Sequence, residues 1–258
     1  MSCVKAVGNT LLIAGWKSTS LIDVHGHVSF TLWLCGCNLK CPFCHNWRIA
    51  NGDSSLCKPI EVERVIEEVV ASKNLVDYLH VTGGEPLLQY ENLAVLFERV
   101  KSMGIACSLN SNLTLTKELM HLARQGLVDH VATDLKVPPE ILYGVPSVAR
   151  NLWKSFIESL KVIRDFNIPL ELRIPVHRKL THNVLREYIE QVIGNVLVEK
   201  TVVVVNPLLS EPIVKPRDPS WCRENCTVNA ERLQQISDLF KHYGFSRVVV
   251  KSIPGFEQ

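Results

Sequence analysis

Six apolar-rich runs, each closed by polar or glycine residues, constrain this fold more than any other feature of the chain. They cover residues 28–35, 76–81, 105–109, 128–135, 170–176 and 201–205. Runs this short read as strands, and their near-continuous apolar character suits strands buried on both faces. Segments of helical period fall between them. In residues 61–72, Val62, Val65, Ile66, Val69 and Val70 share one face; in residues 230–243, Leu233, Ile236, Leu239, Phe240 and Tyr243 do. Residues 88–103, 151–166 and 184–193 read as further helices. Alternating strands and helices imply a parallel sheet with helices outside it, and 258 residues suit one α/β-barrel domain. The longest expected loop is the Pro-rich stretch 207–219.

In parallel barrels the C-terminal strand ends carry the functional groups. A cysteine loop, Gly83-Gly84-Glu85, Asn110-Ser111-Asn112, Asp134-Leu135-Lys136, Arg173 and Asn206 all fall at or just past such ends. The cysteine loop reads Cys35-Gly-Cys-Asn-Leu-Lys-Cys-Pro-Phe-Cys-His-Asn-Trp47, which spaces Cys37, Cys41 and Cys44 as C-x3-C-x2-C. Four-iron clusters are held by thiolates and normally take four. Three leave one iron open, and an open position marks a catalytic rather than a structural site. Zinc with His45 as fourth ligand, or a Cys41/Cys44 redox pair, are the alternatives. Adjacent residues chelate one small ion poorly, which weighs against Cys44 with His45. Cys35 reads as a small buried hydrophobe.

Val81-Thr-Gly-Gly-Glu-Pro-Leu-Leu-Gln89 adds a second signal. Paired glycines at a strand end let bare backbone approach a ligand, Glu85 offers a carboxylate, and Pro86 can open a helix. Alone it reads as a tight strand-to-helix turn. After the cysteine loop it is specific.

With both motifs the chain resembles the radical S-adenosylmethionine enzymes. The resemblance implies an open (β/α)6 partial TIM barrel. It also implies one [4Fe-4S] cluster on Cys37, Cys41 and Cys44, with S-adenosyl-L-methionine on the fourth iron. By the same resemblance Gly83, Gly84, Glu85 and Pro86 hold the methionine amino group, Phe43 lies against the adenine, and His45 lies near the adenosyl group. Cys44-His45-Asn46 and Asp134-Leu135-Lys136 look like the activating enzymes of glycyl radical enzymes, such as the pyruvate formate-lyase activator. Residues 15–27 and 31–37 look more like archaeal activators of anaerobic ribonucleoside-triphosphate reductase.

Most of the remaining candidates carry more than one reading. Asn110, Ser111 and Asn112 form an ordinary turn or contact the ribose; the activators have Asp-Thr-Asn-Gly here, so Asn110 replaces an acid and Leu113 a glycine. Asp134 and Lys136 pair with neighbours or contact S-adenosylmethionine. Arg173 makes a structural ion pair or aims its fork of donors at the methionine carboxylate. His177 reads as a solvated loop histidine. Cys222 and Cys226 read first as reduced thiols, then as a metal or redox pair, then as part of an auxiliary cluster.

The chemistry the resemblance implies is one-electron cleavage of the sulfonium, giving methionine and a 5′-deoxyadenosyl radical. In an activator that radical takes hydrogen from a glycine of a partner enzyme, so no side chain here serves as acid or base. The expected partner is a glycyl radical enzyme, first an anaerobic ribonucleotide reductase and otherwise a pyruvate formate-lyase-like enzyme. Ferredoxin or flavodoxin would supply the electron. The alternatives are a radical enzyme acting on a small molecule or RNA, and an iron–sulfur electron-transfer module.

Composition sets limits. A net charge of +2 gives no electrostatic case for nucleic acid or an anionic membrane. No apolar run reaches the length of a transmembrane helix, and the Met-Ser-Cys-Val-Lys start lacks a signal-peptide pattern. Nine cysteines, an odd number with three clustered, argue for reduced thiols in a cytoplasm. Residues 1–27 are expected to form an N-terminal extension and residues 28–258 the barrel domain.

Overall fold

Nine strands form one sheet in the computed structural model, which describes residues 9–251. They are β1 (Thr10–Ser20), β2 (Ser29–Leu34), β3 (Lys58–Glu61), β4 (Tyr78–Gly83), β5 (Ala106–Asn110), β6 (His130–Asp134), β7 (Leu170–Val176), β8 (Thr201–Pro207) and β9 (Val248–Val250). Their hydrogen-bonded order is β3-β1-β2-β4-β5-β6-β7-β8-β9. The strands expected from the sequence are β2, β4, β5, β6, β7 and β8, and β7 has the bounds that its apolar run implies. Among the described residues no helix is long and apolar enough to cross a membrane.

The chain divides into two compact units. The first holds Met1–Asn38, Arg48–Ser111 and Lys117–Val131; the second holds Leu39–Trp47, Asn112–Thr116 and Ala132–Gln258. In the first, β2 pairs parallel with β4, and β4 with β5. Phe30, Leu32, Leu34, Leu79, Val81 and Leu109 are fully buried on these strands. Each such burial removes a side chain from water for roughly 1.5–3 kcal/mol. Helix Val62–Ser72 buries Val62, Val65, Ile66 and Val69 against this core. Val70 is 41 % exposed, contrary to the expected face, because four residues already fill the inward stripe.

In the second unit β7 pairs parallel with β8, and β8 with β9. Helix Ala230–His242 buries Leu233, Ile236, Leu239 and Phe240. Tyr243 does not join them: it caps the helix and donates its hydroxyl to Glu190 at 3.0 Å.

Strand β1 lies within the stretch that the sequence reading placed in an extension. It pairs antiparallel with β2 and β3 and buries Leu11 and Ile13. Residues 1–8 and 252–258, the outer ends of the two expected segments, lie outside the described residues.

The expectation of reduced thiols is overturned at two places. Cys35 bonds to Cys57, and Cys222 bonds to Cys226. Ile13 of β1 pairs with Leu34 on one side and Lys58 on the other, so β1 brings the adjoining Cys35 and Cys57 together. Cys35 is buried as expected, but as half of a disulfide. Cys222 and Cys226 are joined one helical turn apart, at the end of helix Pro219–Asn225.

Candidate functional site

In the first unit the chain turns sharply after β4. Gly84 donates its backbone N–H to Leu34 at 2.8 Å, and Glu85 donates to Gly36 at 2.7 Å. A Cβ on Gly83 would collide with the Leu34 backbone, and one on Gly84 with the carbonyl of Gly36. Gly83 also has φ +118°, which only glycine adopts readily. Both glycines are therefore required by this chain's own backbone.

Glu85 follows, fully buried. Its Oε1 accepts from the Leu87 N–H at 3.1 Å, capping the 3-10 helix Pro86–Gln89, and from the Ser111 hydroxyl at 2.8 Å. Asn110 donates to the Thr82 hydroxyl at 2.9 Å. Gln89 binds Leu12 twice, accepting from its N–H at 2.7 Å and donating to its carbonyl at 3.1 Å. The structure thus joins Glu85 to Ser111 and Asn110 to β4. Cys37, in the same unit, is a half-buried thiol rather than part of a disulfide.

The second unit carries the rest of the cysteine loop. Cys41 and Cys44 are thiols rather than parts of a disulfide, and the Cys44 N–H donates to the Cys41 carbonyl at 3.2 Å. A strap from residues 208–218 runs beside them. Arg217 donates its backbone N–H to Cys44, and Asp218 donates to Pro42, each at 2.9 Å. Burial pushes the Cys44 thiol up; the charge of Arg217, the Asn46 N–H, the charge of Lys136 and a hydrogen bond from the Arg217 side chain pull the other way. Phe43 packs near Trp221, with ring centroids 6.3 Å apart.

Asp134 accepts from Lys136 Nζ at 2.8 Å. Burial works to raise the Asp134 pKa, but Lys136, Arg173 and His45 outweigh it and hold the carboxyl below the usual range. His45 moves down, since burial disfavours its charged form more than Asp134 favours it. Arg173 donates Nε to Glu171 at 2.6 Å, so the ion-pair reading of this residue is realised. Asn112 Oδ1 accepts from the Thr114 N–H at 3.0 Å and from its hydroxyl at 2.6 Å. That makes Asn112 a turn residue, and Leu113, in the glycine's place, adopts φ +56° while fully buried.

His177 differs from expectation. It is 1 % exposed, and its Nε2 lies 3.2 Å from the Val137 carbonyl. Its Nδ1 and the Asn206 Oδ1 are buried polar atoms with no hydrogen-bond partner among the described residues. Such an atom costs about 1–3 kcal/mol unless something fills it, so the second unit offers unspent polar capacity at a strand end.

These residues suit an iron–sulfur cluster in kind. Among the described residues Cys37, Cys41 and Cys44 remain outside every disulfide, and cations adjoin Cys44. Among the described residues no three His, Cys, Asp or Glu side chains gather as for a single ion. A four-iron cluster spreads its thiolates over separate irons rather than gathering them on one. Sequence reasoning missed Arg217 and Trp221, which lie far along the chain from the loop they touch; Asp218-Pro219, a helix cap before proline, was the available signal.

Residues 32–192 match the model of the radical SAM superfamily, which is more than half of the chain. The chain belongs to the radical SAM superfamily. A Methanocaldococcus jannaschii protein, named provisionally as a glycyl-radical enzyme activating enzyme, is 29 % identical over 125 residues, covering 48 % of this chain and 50 % of that protein. The 7-carboxy-7-deazaguanine synthase of Hyperthermus butylicus is 38 % identical over 90 residues, covering 34 % and 35 %. The chain therefore spans half or less of the length of these curated relatives. A crystal structure of a radical SAM methyltransferase from Sphaerobacter thermophilus superposes with TM-score 0.64 at 15 % identity, covering 91 % of this chain and 69 % of that one. The likeness is one of fold, and with the strand order it bears out the α/β class of an open (β/α)6 partial barrel. The radical SAM match ends at residue 192, so the strap with Arg217 and the Cys222–Cys226 pair lie beyond it.

Proposed function

We propose that this radical SAM enzyme cleaves S-adenosyl-L-methionine reductively at a [4Fe-4S] cluster on Cys37, Cys41 and Cys44, and installs a glycyl radical on a partner enzyme. The observation that carries the reading is the loop itself. Its three cysteines are spaced C-x3-C-x2-C and stay as thiols among the described residues where four others form disulfides, and it continues as Cys44-His45-Asn46. The cluster, when bound, supplies one electron at low potential to the sulfonium.

The chain's own residues bind and orient. Cys37, Cys41 and Cys44 give thiolates. By the family resemblance Phe43, His45, Gly83 to Pro86, Asn110, Ser111, Asp134, Lys136 and Arg173 would contact the cofactor. Asn112 would serve by shaping its turn. Asn206, with its buried acceptor, suits a hydrogen-bond donor of the cofactor. Burial shifts His45 toward its neutral form, which suits a polar contact beside a sulfonium. No side chain is needed to move a proton in the hydrogen-atom step.

The first-choice partner is an anaerobic ribonucleoside-triphosphate reductase, with a pyruvate formate-lyase-like enzyme next and a ferredoxin or flavodoxin as electron donor. The relative named as a glycyl-radical enzyme activating enzyme supports this class. A second reading, a radical enzyme acting on a small molecule or RNA, is favoured by the 38 % identity to the deazaguanine synthase.

The test is anaerobic. Iron and sulfide are reconstituted, dithionite and S-adenosylmethionine added, and 5′-deoxyadenosine assayed with and without a co-encoded candidate reductase. Cleavage with a glycyl doublet on the reductase in electron spin resonance supports the activase. Cleavage without a doublet moves the assignment to the second reading. A fully loaded cluster that cleaves nothing overturns both.

A further inference from the structure

We infer that the open pocket beside Cys41 is the docking surface of the electron donor, and that the donor is a small acidic redox protein. The inference rests on the cluster reading above and adds to it the place where the electron enters.

The pocket is built on the cysteine loop itself. It has a volume of about 460 Å³, and its lining includes Lys40, Pro42, Ile141, Arg217, Asp218 and Trp221. Lys40 and Pro42 are the chain neighbours of Cys41. Each wall of the pocket is fastened to the loop on one side of that cysteine. On one side the Lys40 N–H donates to the Tyr143 carbonyl at 2.9 Å, and a Cβ on Gly144 would collide with the Lys40 carbonyl. On the other side the Asp218 N–H donates to the Pro42 carbonyl at 2.9 Å. Cys41 lies buried between these two attachments. Electron transfer weakens steeply with distance, so a carrier has to seat close to a ligand. One seated in this pocket is a single residue of backbone away from Cys41, against a loop pinned on both sides.

The lining also fits a brief encounter with such a carrier. Redox encounters use small contacts, and interfaces have an apolar centre inside a polar rim. Ile141 is 46 % exposed, and the half-buried Pro42 and Trp221 extend the apolar surface. Lys40 and Arg217 set two cations against the one carboxylate of Asp218. That carboxylate is committed, since it accepts from the Trp221 N–H at 2.9 Å and caps helix Pro219–Asn225. The balance of charge steers an acidic carrier to the loop and discriminates against a basic one.

The experiment is anaerobic stopped flow, mixing the reconstituted chain with the hydroquinone of an acidic flavodoxin and following reduction of the cluster. Wild type, Lys40→Glu, Ile141→Glu and Lys73→Glu are compared at equal iron content. Lys73 is exposed in the first unit, and its substitution changes the net charge as much as Lys40→Glu does. At low ionic strength Lys40→Glu should slow the second-order reduction about tenfold and Ile141→Glu by a smaller factor, while Lys73→Glu keeps the wild-type rate. Added salt should narrow the gap between Lys40→Glu and wild type. Photoreduced deazaflavin, a small reductant that needs no docking, should reduce all four chains alike. Wild-type flavodoxin rates in Lys40→Glu and Ile141→Glu with full clusters overturn the inference and leave the proposed function standing. Equal slowing with deazaflavin marks a distorted loop and also overturns it. Unchanged flavodoxin rates with a smaller glycyl doublet on the reductase would assign this face to the glycyl radical partner instead. A wild-type chain that takes up no iron overturns both readings. Should Lys40→Glu load no iron, Lys40→Gln and Ile141→Glu decide.

Discussion

The turn after β4 and the loop Leu39–Trp47 carry the two motifs by which this chain is recognised, yet they are fixed by different forces. The turn is held by backbone alone. Two N–H groups are spent on Leu34 and Gly36, and two missing Cβ atoms leave room for them. The loop is held by a strap from far along the chain and is surrounded by charge from Arg217, Lys136 and Asp134. A glycine in the turn is thus a folding requirement whatever it binds, whereas the charged residues around the loop are costly to bury and need a chemical reason.

That contrast can be broken in several ways. Gly84→Ala should have the largest effect, a loss of roughly 3 kcal/mol or more from forcing a Cβ into the Gly36 carbonyl. Urea unfolding checks it; unchanged stability would mean that the turn is not backbone-limited. Leu113→Gly comes next. It relieves a left-handed leucine, worth about 1–2 kcal/mol, but forfeits a fully buried side chain at about 2–5 kcal/mol. The net expectation is a loss of about 2 kcal/mol in the same assay.

Lys136→Met should cost about 1–2 kcal/mol, discounted because the Asp134 side chain is 31 % exposed. Its pH dependence has a definite sign. Asp134 is held below its ordinary pKa, so the pair stabilises the fold above the carboxylate range, and that stability is lost as pH falls through the folded pKa. The gap between wild type and variant should be full near neutral pH and close in acid, and NMR titration should show the Asp134 pKa raised in the variant. Asn206→Leu should change stability least, by under about 1 kcal/mol, because it removes an acceptor that has no partner among the described residues. Calorimetry on the reconstituted chain should nonetheless show weaker S-adenosylmethionine binding; unaltered affinity would place Asn206 outside the cofactor's reach.

Much of the sheet was legible because its strands are apolar on both faces. Residues 170–176 needed no correction, since they are bounded by Pro169 and His177 and every position but Arg173 is buried. Strand β3 was not legible: Lys58-Pro-Ile-Glu61 buries none of its residues fully and carries no period. Strand β1 escaped because Trp16-Lys-Ser-Thr-Ser20 breaks the apolar pattern begun at Leu11. With β1 unread, nothing in the spacing could bring Cys35 to Cys57. The glycines and Glu85 were legible as a motif, but the reason for them was not, because their partners Leu34, Gly36 and Ser111 are set by the sheet. Arg217 was hidden for the same cause, a contact decided by tertiary structure inside a stretch that reads only as Pro-rich loop.

Gln89 gives the turn after β4 a dependence of its own. Its side-chain amide satisfies both backbone groups of Leu12 and also reaches the Cys35 carbonyl at 3.1 Å. A side chain here stands in for a strand: it docks on β1 as a neighbouring peptide group would. The 3-10 helix Pro86–Gln89, and through it the carboxylate of Glu85, takes its alignment from the first strand of the chain. Shortening the protein from its amino end past Leu12 would therefore be felt at Glu85, more than seventy positions away, before any strand of the parallel sheet is touched.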